Sequence, residues 1–236
     1  MIALCQEHAA KADGGYYPDE YLDRLKVEGR ERSEAVKGSF DYLRRDAIAV
    51  IGSNVFYNVE TIARVNGERA IYFRRDKDGY LLLNITLPTL EGGARAQIED
   101  NIWTVDPRGI AVMDCPPRGR YIDVQFEDGD GFHVEYREYE NADAYALKYP
   151  VAAELLRRVA FPVLVVEFWE RSRDLLVEFG KRRTKSVANR TETSFSLFMD
   201  MRYGIISDPP LSASALSLLD EALARHNARL SARKRA

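Results

Sequence analysis

Thr61-Ile62-Ala63-Arg64-Val65-Asn66-Gly67-Glu68-Arg69-Ala70-Ile71-Tyr72-Phe73-Arg74 reads as two short strands folded back on each other. Thr61 to Val65 and Ala70 to Arg74 are strand-length runs rich in β-formers. Asn-Gly between them accepts the positive φ angles that a two-residue hairpin turn requires, and the twist of that turn matches the strands it joins. Asp78-Gly79 repeats the signal downstream and sets Ile71-Tyr72-Phe73 opposite Tyr80 to Leu87. Upstream, Ile48-Ala49-Val50-Ile51 ends at Gly52 and Val55 to Asn58 follows. Downstream come Ala94 to Glu99, Ile102 to Val105, Ile110 to Met113 and Tyr121 to Phe126. Asp128-Gly129-Asp130-Gly131 turns the chain, and Phe132 to Tyr136 returns with apolar and polar residues in strict alternation. About seven to nine short strands at this spacing argue for a β-sandwich or open barrel over a parallel sheet.

The flanks of this body have a different period. Pro18-Asp19-Glu20 opens a helix, with proline in the first turn and acids beside the positive end of the dipole. The helix runs to about Ser33 and carries Tyr21, Leu22 and Leu25 on one face. Asn141 to Ala160 is a helical interruption that Pro150 splits, leaving Val151 to Val159 as the better helix. Phe161 to Phe168 and Leu175 to Phe179 resume the strands, Lys181 to Asn189 is a basic loop, and Ser194 to Met199 and Tyr203 to Ile206 follow. Asp208-Pro209-Pro210 stops them ahead of a helix over Leu211 to Leu230 with Leu216, Leu219 and Leu223 on one face. The expected fold is α+β in three regions. These are 1–38 (a short N-terminal segment and helix), 39–210 (a predominantly antiparallel β domain) and 211–236 (a closing helix with a basic tail).

With 236 residues the chain can bury a substantial core. Its net charge of −3 gives a whole-molecule field that does not favour nucleic acid, so DNA contact requires a local patch. The best patches are Lys181-Arg182-Arg183 with Lys185, and Arg233-Lys234-Arg235. Two cysteines, Cys5 and Cys115, have no framework spacing, and no apolar run is long enough to span a bilayer. A cytoplasmic protein without a membrane partner is the expectation.

Titratable and nucleophilic residues offer few constellations. Cys5 and His8 in Leu4-Cys5-Gln6-Glu7-His8 have the spacing by which one turn of a finger presents two zinc ligands, but two ligands do not complete a site. His133 reads as an exposed or hydrogen-bonded strand residue, and His226 lies in the basic tail. Glu99-Asp100-Asn101 reads as a turn between strands rather than a cation site. Cys115-Pro116-Pro117-Arg118-Gly119-Arg120 reads as a rigid loop with solvated charges. No Gly-rich phosphate loop, nucleophile elbow or Ser-His-Asp set can be assembled.

Two stretches resemble a known family. Met1-Ile2-Ala3-Leu4-Cys5-Gln6-Glu7-His8-Ala9-Ala10-Lys11-Ala12-Asp13-Gly14-Gly15-Tyr16 is similar to the closing segment of HNH endonuclease domains. Gly79 to Ile85 followed by Ile98-Glu99-Asp100-Asn101-Ile102-Trp103 resembles the β-rich region that follows the HNH finger in one bacterial group. The resemblance implies metal-dependent hydrolysis of DNA phosphodiesters, with Cys5 and His8 as one pair of structural zinc ligands, Lys11 near DNA, and a divalent metal such as magnesium at the reaction centre. It also implies that the activating His and the Asn that holds it precede Met1, and that the family's helix-borne His is replaced by Ala9. Met1 is then read as an internal methionine of a longer frame; a decayed finger attached to a working β body is the alternative. In either case the chain as it stands is expected to lack nuclease activity. The competing reading is a non-enzymatic β module that binds a protein or a nucleic acid.

Overall fold

The computed structural model describes residues 12–32, 35–87, 94–116, 119–149, 155–172, 177–186 and 191–207. Helix α1 (Asp19–Arg32) begins one residue after Pro18, with Asp19 and Glu20 in its first turn. The strands that follow are β1 (Val36–Ser39), β2 (Ala47–Ile51), β3 (Asn54–Tyr57), β4 (Thr61–Val65), β5 (Glu68–Arg75) and β6 (Leu81–Ile85). Next come β7 (Ala96–Glu99), β8 (Ile102–Val105), β9 (Ile110–Asp114), β10 (Tyr121–Phe126) and β11 (Gly131–Tyr139). After helix α2 (Ala142–Lys148) and a 3-10 turn (Leu155–Arg157), the chain continues as β12 (Val163–Arg171), β13 (Val177–Gly180) and β14 (Arg183–Ser186). It ends, among the described residues, with β15 (Thr191–Thr193), β16 (Leu197–Met199) and β17 (Tyr203–Ser207).

The molecule is mostly β, in two sheets. One has the order β1-β8-β7-β6-β5-β4-β17 and the other β15-β14-β13-β12-β11-β10-β9. The second sheet branches at β12. Leu164 to Phe168 pair in parallel with Ala47 to Ile51 of β2, while Glu170 further along the same edge pairs with Phe179 of β13. β2 carries β3, and β3 carries β16 in parallel. The chain then crosses to the first sheet, where β17 lies parallel to β4. Antiparallel pairing predominates as expected, and these three parallel contacts are its exceptions.

Alternation along β2 explains the layering. Ala47, Ala49 and Ile51 point into the core between the sheets, together with Phe56, Ile62, Ile71, Leu83, Ile98 and Trp103. Ile48 and Val50 point to the opposite face, where Tyr139, Tyr145, Leu155 and Val165 form a second cluster. All five residues of β2 are therefore buried, and the strand reads as a continuous apolar run. Helix α2 and the 3-10 turn cover this second cluster. Asn141 caps α2 by accepting a hydrogen bond from the Ala144 amide at 2.9 Å.

Several sequence expectations need correction. From Ala47 to Tyr139 the chain forms ten strands, β2 to β11, where about seven to nine are expected, and seventeen are present among the described residues. The strands begin at Val36 rather than at Ile48, because β1 finds its partner in β8, far along the chain. The helical interruption is Ala142–Lys148; of Val151 to Val159, the part described is a 3-10 turn that buries Leu155. Lys181 to Asn189 is not a simple loop. Lys181 and Arg182 turn a hairpin, and Arg183–Ser186 is β14. Its inward residues are Thr184 and Ser186, polar side chains that no apolar pattern exposes. The helix expected over 211–230 and the finger segment 1–11 lie outside the described residues.

The Glu99-Asp100-Asn101 stretch is the turn that was expected. Asp100 and Asn101 take φ angles of 50° and 66° between β7 and β8. Asn101 is buried, and its Oδ1 accepts hydrogen bonds from the Leu83 amide at 2.8 Å and the Tyr136 hydroxyl at 3.0 Å. Asp100 receives Arg74 Nε at 2.9 Å and Nη2 at 2.6 Å, and that paired guanidinium holds its carboxyl below the usual range. Both residues therefore serve the architecture of the first sheet.

Candidate ligand site between the sheets

A cavity of about 560 Å³ opens at one end of the sandwich. Its walls are Ala47 and Ala49 of β2, Phe56 of β3, Ile62 of β4, Phe73 of β5 and Leu81 of β6. They come from both sheets, so the space lies where the two layers face each other. Two alanines on the inward face of β2 leave it unfilled. Ile51, next in the same row, closes the core completely. Gly204 allows β17 to approach two of these wall residues, since a Cβ there would stand 2.6 Å from the Ile62 carbonyl and 2.7 Å from the Phe56 ring.

The mouth is polar. Asp46 immediately precedes β2, and its Oδ1 accepts from the Ala47 amide at 3.1 Å. Its Oδ2 accepts from the Tyr57 hydroxyl at 2.9 Å. Burial, reinforced by this bond, pushes the Tyr57 phenol up to about 12, so it remains a hydrogen-bond donor at neutral pH. Arg75, at the end of β5, donates through Nη1 to the carbonyls of Arg45 at 2.8 Å and Gly79 at 2.9 Å. Asp200 accepts from Asn58 at 2.7 Å and from Arg158 at 2.8 Å. Arg202 faces Glu60 at 3.8 Å. Apolar walls with a few convergent polar groups at the mouth are the usual make-up of a small-molecule pocket.

The residues singled out in the sequence do not converge here. Cys5, His8 and Lys11 lie outside the described residues. Lys181, Arg182 and Arg183 are exposed on the β13–β14 hairpin. Lys181 Nζ stands 4.4 Å over the Trp169 ring, and Arg183 reaches Glu192 at 3.4 Å. Beyond Trp169 the same outer face carries His133, stacked on the indole at 5.4 Å, with Nδ1 2.8 Å from Asp123 Oδ2. Tyr121, Asp114, Glu135 and Glu167 continue the face, and its acids offset its bases. Glu167 shows that balance. Burial works to raise its carboxyl, yet the hydrogen bonds from Lys148 and Tyr149 outweigh it and hold the group below the usual range. Cys115 is half-buried, and burial followed by the neighbouring Asp114 pushes its thiol up, away from the reactive thiolate form. Among the described residues, no three or more His, Cys, Asp or Glu side chains come together as a metal-holding group. No described helix is long and apolar enough to cross a membrane.

Sequence reading missed Asp46, Tyr57 and Arg75. Asp46, just before β2, and Arg75, at the end of β5, line one cavity only because the two sheets pack together. Tyr57, at the end of β3, packs on the outer cluster and touches the site through its hydrogen bond to Asp46. The available signal was Ala47 and Ala49, small residues in a run otherwise made of isoleucine and valine. In comparisons with known proteins the chain matches no family model, no curated protein and no solved structure.

Proposed function

We propose that the described body is a non-enzymatic binding module whose ligand site is the cavity between its sheets. The observation that carries this reading is the cavity itself: about 560 Å³ of space lined by apolar side chains from five strands together with Asp46, Asn58, Glu60, Arg75, Asp200 and Arg202. A folded core normally closes such space at a density like that of organic crystals. Methyl-detected NMR during a fragment screen tests it. Hits are expected to shift the Ala47, Ala49, Ile62 and Leu81 methyls together. A screen without hits, or with shifts scattered over the surface, overturns it.

A second reading keeps the HNH resemblance of residues 1–16 and of Ile98 to Trp103. In it the protein is HNH-endonuclease-like, Cys5 and His8 hold structural zinc, and Lys11, Lys181, Arg182 and Arg183 meet DNA. Because Ala9 stands where the family's helix carries a metal-holding His, residues 1–236 are expected to leave plasmid DNA intact in magnesium. Metal-dependent cleavage that His8→Ala abolishes would overturn that expectation and favour a working finger. DNA binding that falls steeply with salt and weakens when Lys181, Arg182 and Arg183 are neutralised would support the DNA contacts.

A further inference from the structure

Two opposite charges at the cavity mouth, Asp46 and Arg75, have no ionic partner among the described residues, and this limits what the cavity takes. Asp46 uses its carboxylate oxygens on the Ala47 amide and the Tyr57 hydroxyl, both neutral donors. Arg75 uses its guanidinium on two backbone carbonyls. Neither residue forms an ion pair with the other or with any other described side chain, although both line the same cavity. The other charges at the mouth are matched, Asp200 by Arg158 and Glu60 by Arg202. A ligand carrying only a cation or only an anion would match one of the two free charges and leave the other as it was.

Resting on the pocket reading above, we infer that the cavity binds a zwitterionic small molecule with an apolar body, of the class of an amino acid with a large apolar side chain. Its ammonium group meets Asp46, and Tyr57 holds the carboxylate oriented from the other side. Its carboxylate meets Arg75, whose remaining N–H groups present donors in the planar fork that suits a carboxylate. The apolar body lies between Phe56, Phe73, Ile62 and the two alanines, where its burial provides the main driving force. The charged groups supply selectivity, because an ion pair at an open mouth is screened by water.

Titration calorimetry at neutral pH with L-phenylalanine, phenethylamine and 3-phenylpropionate separates the cases, with the methyl signals of Ala47 and Ala49 reporting the place of binding. L-Phenylalanine is expected to bind about five-fold more tightly than either singly charged probe, the factor that one exposed ion pair provides. Asp46→Asn, which can keep the Tyr57 hydrogen bond, is expected to bring L-phenylalanine to the level of 3-phenylpropionate. Arg75→Gln is expected to bring it to the level of phenethylamine. Equal binding of all three probes, or a preference for one singly charged probe, overturns the zwitterion assignment and leaves an apolar pocket. Absence of any shift at the alanine methyls at millimolar concentrations overturns the pocket and the assignment together. The ranking in the unmodified protein decides the matter even where a variant fails to fold.

Discussion

Gly38 lies directly against the indole of Trp103, its partner in the β1–β8 register, so closely that a Cβ at position 38 would overlap the ring. The glycine is needed for space. Trp103 is 4% exposed and fills the core at the edge of the first sheet. β1 can pair there only because position 38 has no side chain.

Gly38→Ala should therefore destabilise the protein by about 1–3 kcal/mol, the usual range for overpacking. In a urea melt the midpoint should fall with an unchanged slope. Combining it with Trp103→Phe should cost less than the sum of the two single changes, because the smaller ring makes room. Strict additivity would show that the two residues do not compete for the same volume.

Glu170 should make stability fall as pH rises. Its Oε2 is sealed from solvent without a hydrogen-bond partner, and burial, with a smaller push from Asp130, raises its carboxyl from 4.5 to about 8. Between these values the folded protein keeps a proton that the unfolded chain has released. The contribution is therefore fully present below pH 4.5 and lost as pH approaches 8. Its size is on the order of a few kcal/mol. Chemical denaturation across that range should show the decline in the native chain and a flatter profile in Glu170→Gln. Parallel profiles would place the titration elsewhere.

Asn54 ties three strands, β3, β14 and β15, to the residue just before β16. Fully buried on β3, it donates to Thr184 Oγ1 at 3.0 Å and Thr193 Oγ1 at 3.2 Å, and accepts from the Ser196 amide at 3.1 Å. Asn54→Ala should cost about 2 kcal/mol, since it removes three hydrogen bonds and leaves the part-buried Ser196 amide without an acceptor. Hydrogen exchange should rise first at Ser196 and along β14 and β15. Unchanged protection there would show that the amide network does not secure this edge.

Ala49→Leu should fill the cavity from the β2 side. Since the added atoms enter existing space, stability is expected to hold or to gain up to about 1 kcal/mol. The methyl shifts of Ala47 and Ile62 on ligand addition should disappear. A stable variant that still binds would move the ligand site away from the inter-sheet space.

The local turns were legible in the sequence because their signals are local. Asn66 and Gly67 adopt φ angles of 53° and 80°, which their side chains permit at little cost. Ile71 and Phe73 face Ile85 and Leu83 across the next turn, in the pairing that Asp78-Gly79 suggests. Strict alternation from Phe132 to Tyr136 marked β11, and the proline and acids at 18–20 marked the start of α1.

Tertiary structure alone decided the rest. β14 is invisible to hydrophobic period because its buried positions are Thr184 and Ser186, made acceptable by hydrogen bonds from Asn54 and with Ser207. Helix α2 is fixed by the Asn141 cap, and Leu155, in the 3-10 turn, is buried in the outer cluster. The branch at β12 joins strands more than a hundred residues apart, a pairing that no local preference encodes. Asp46 and Arg75 line one cavity for the same reason: conformational preference acts over a few residues, while the cavity arises where two complete sheets meet.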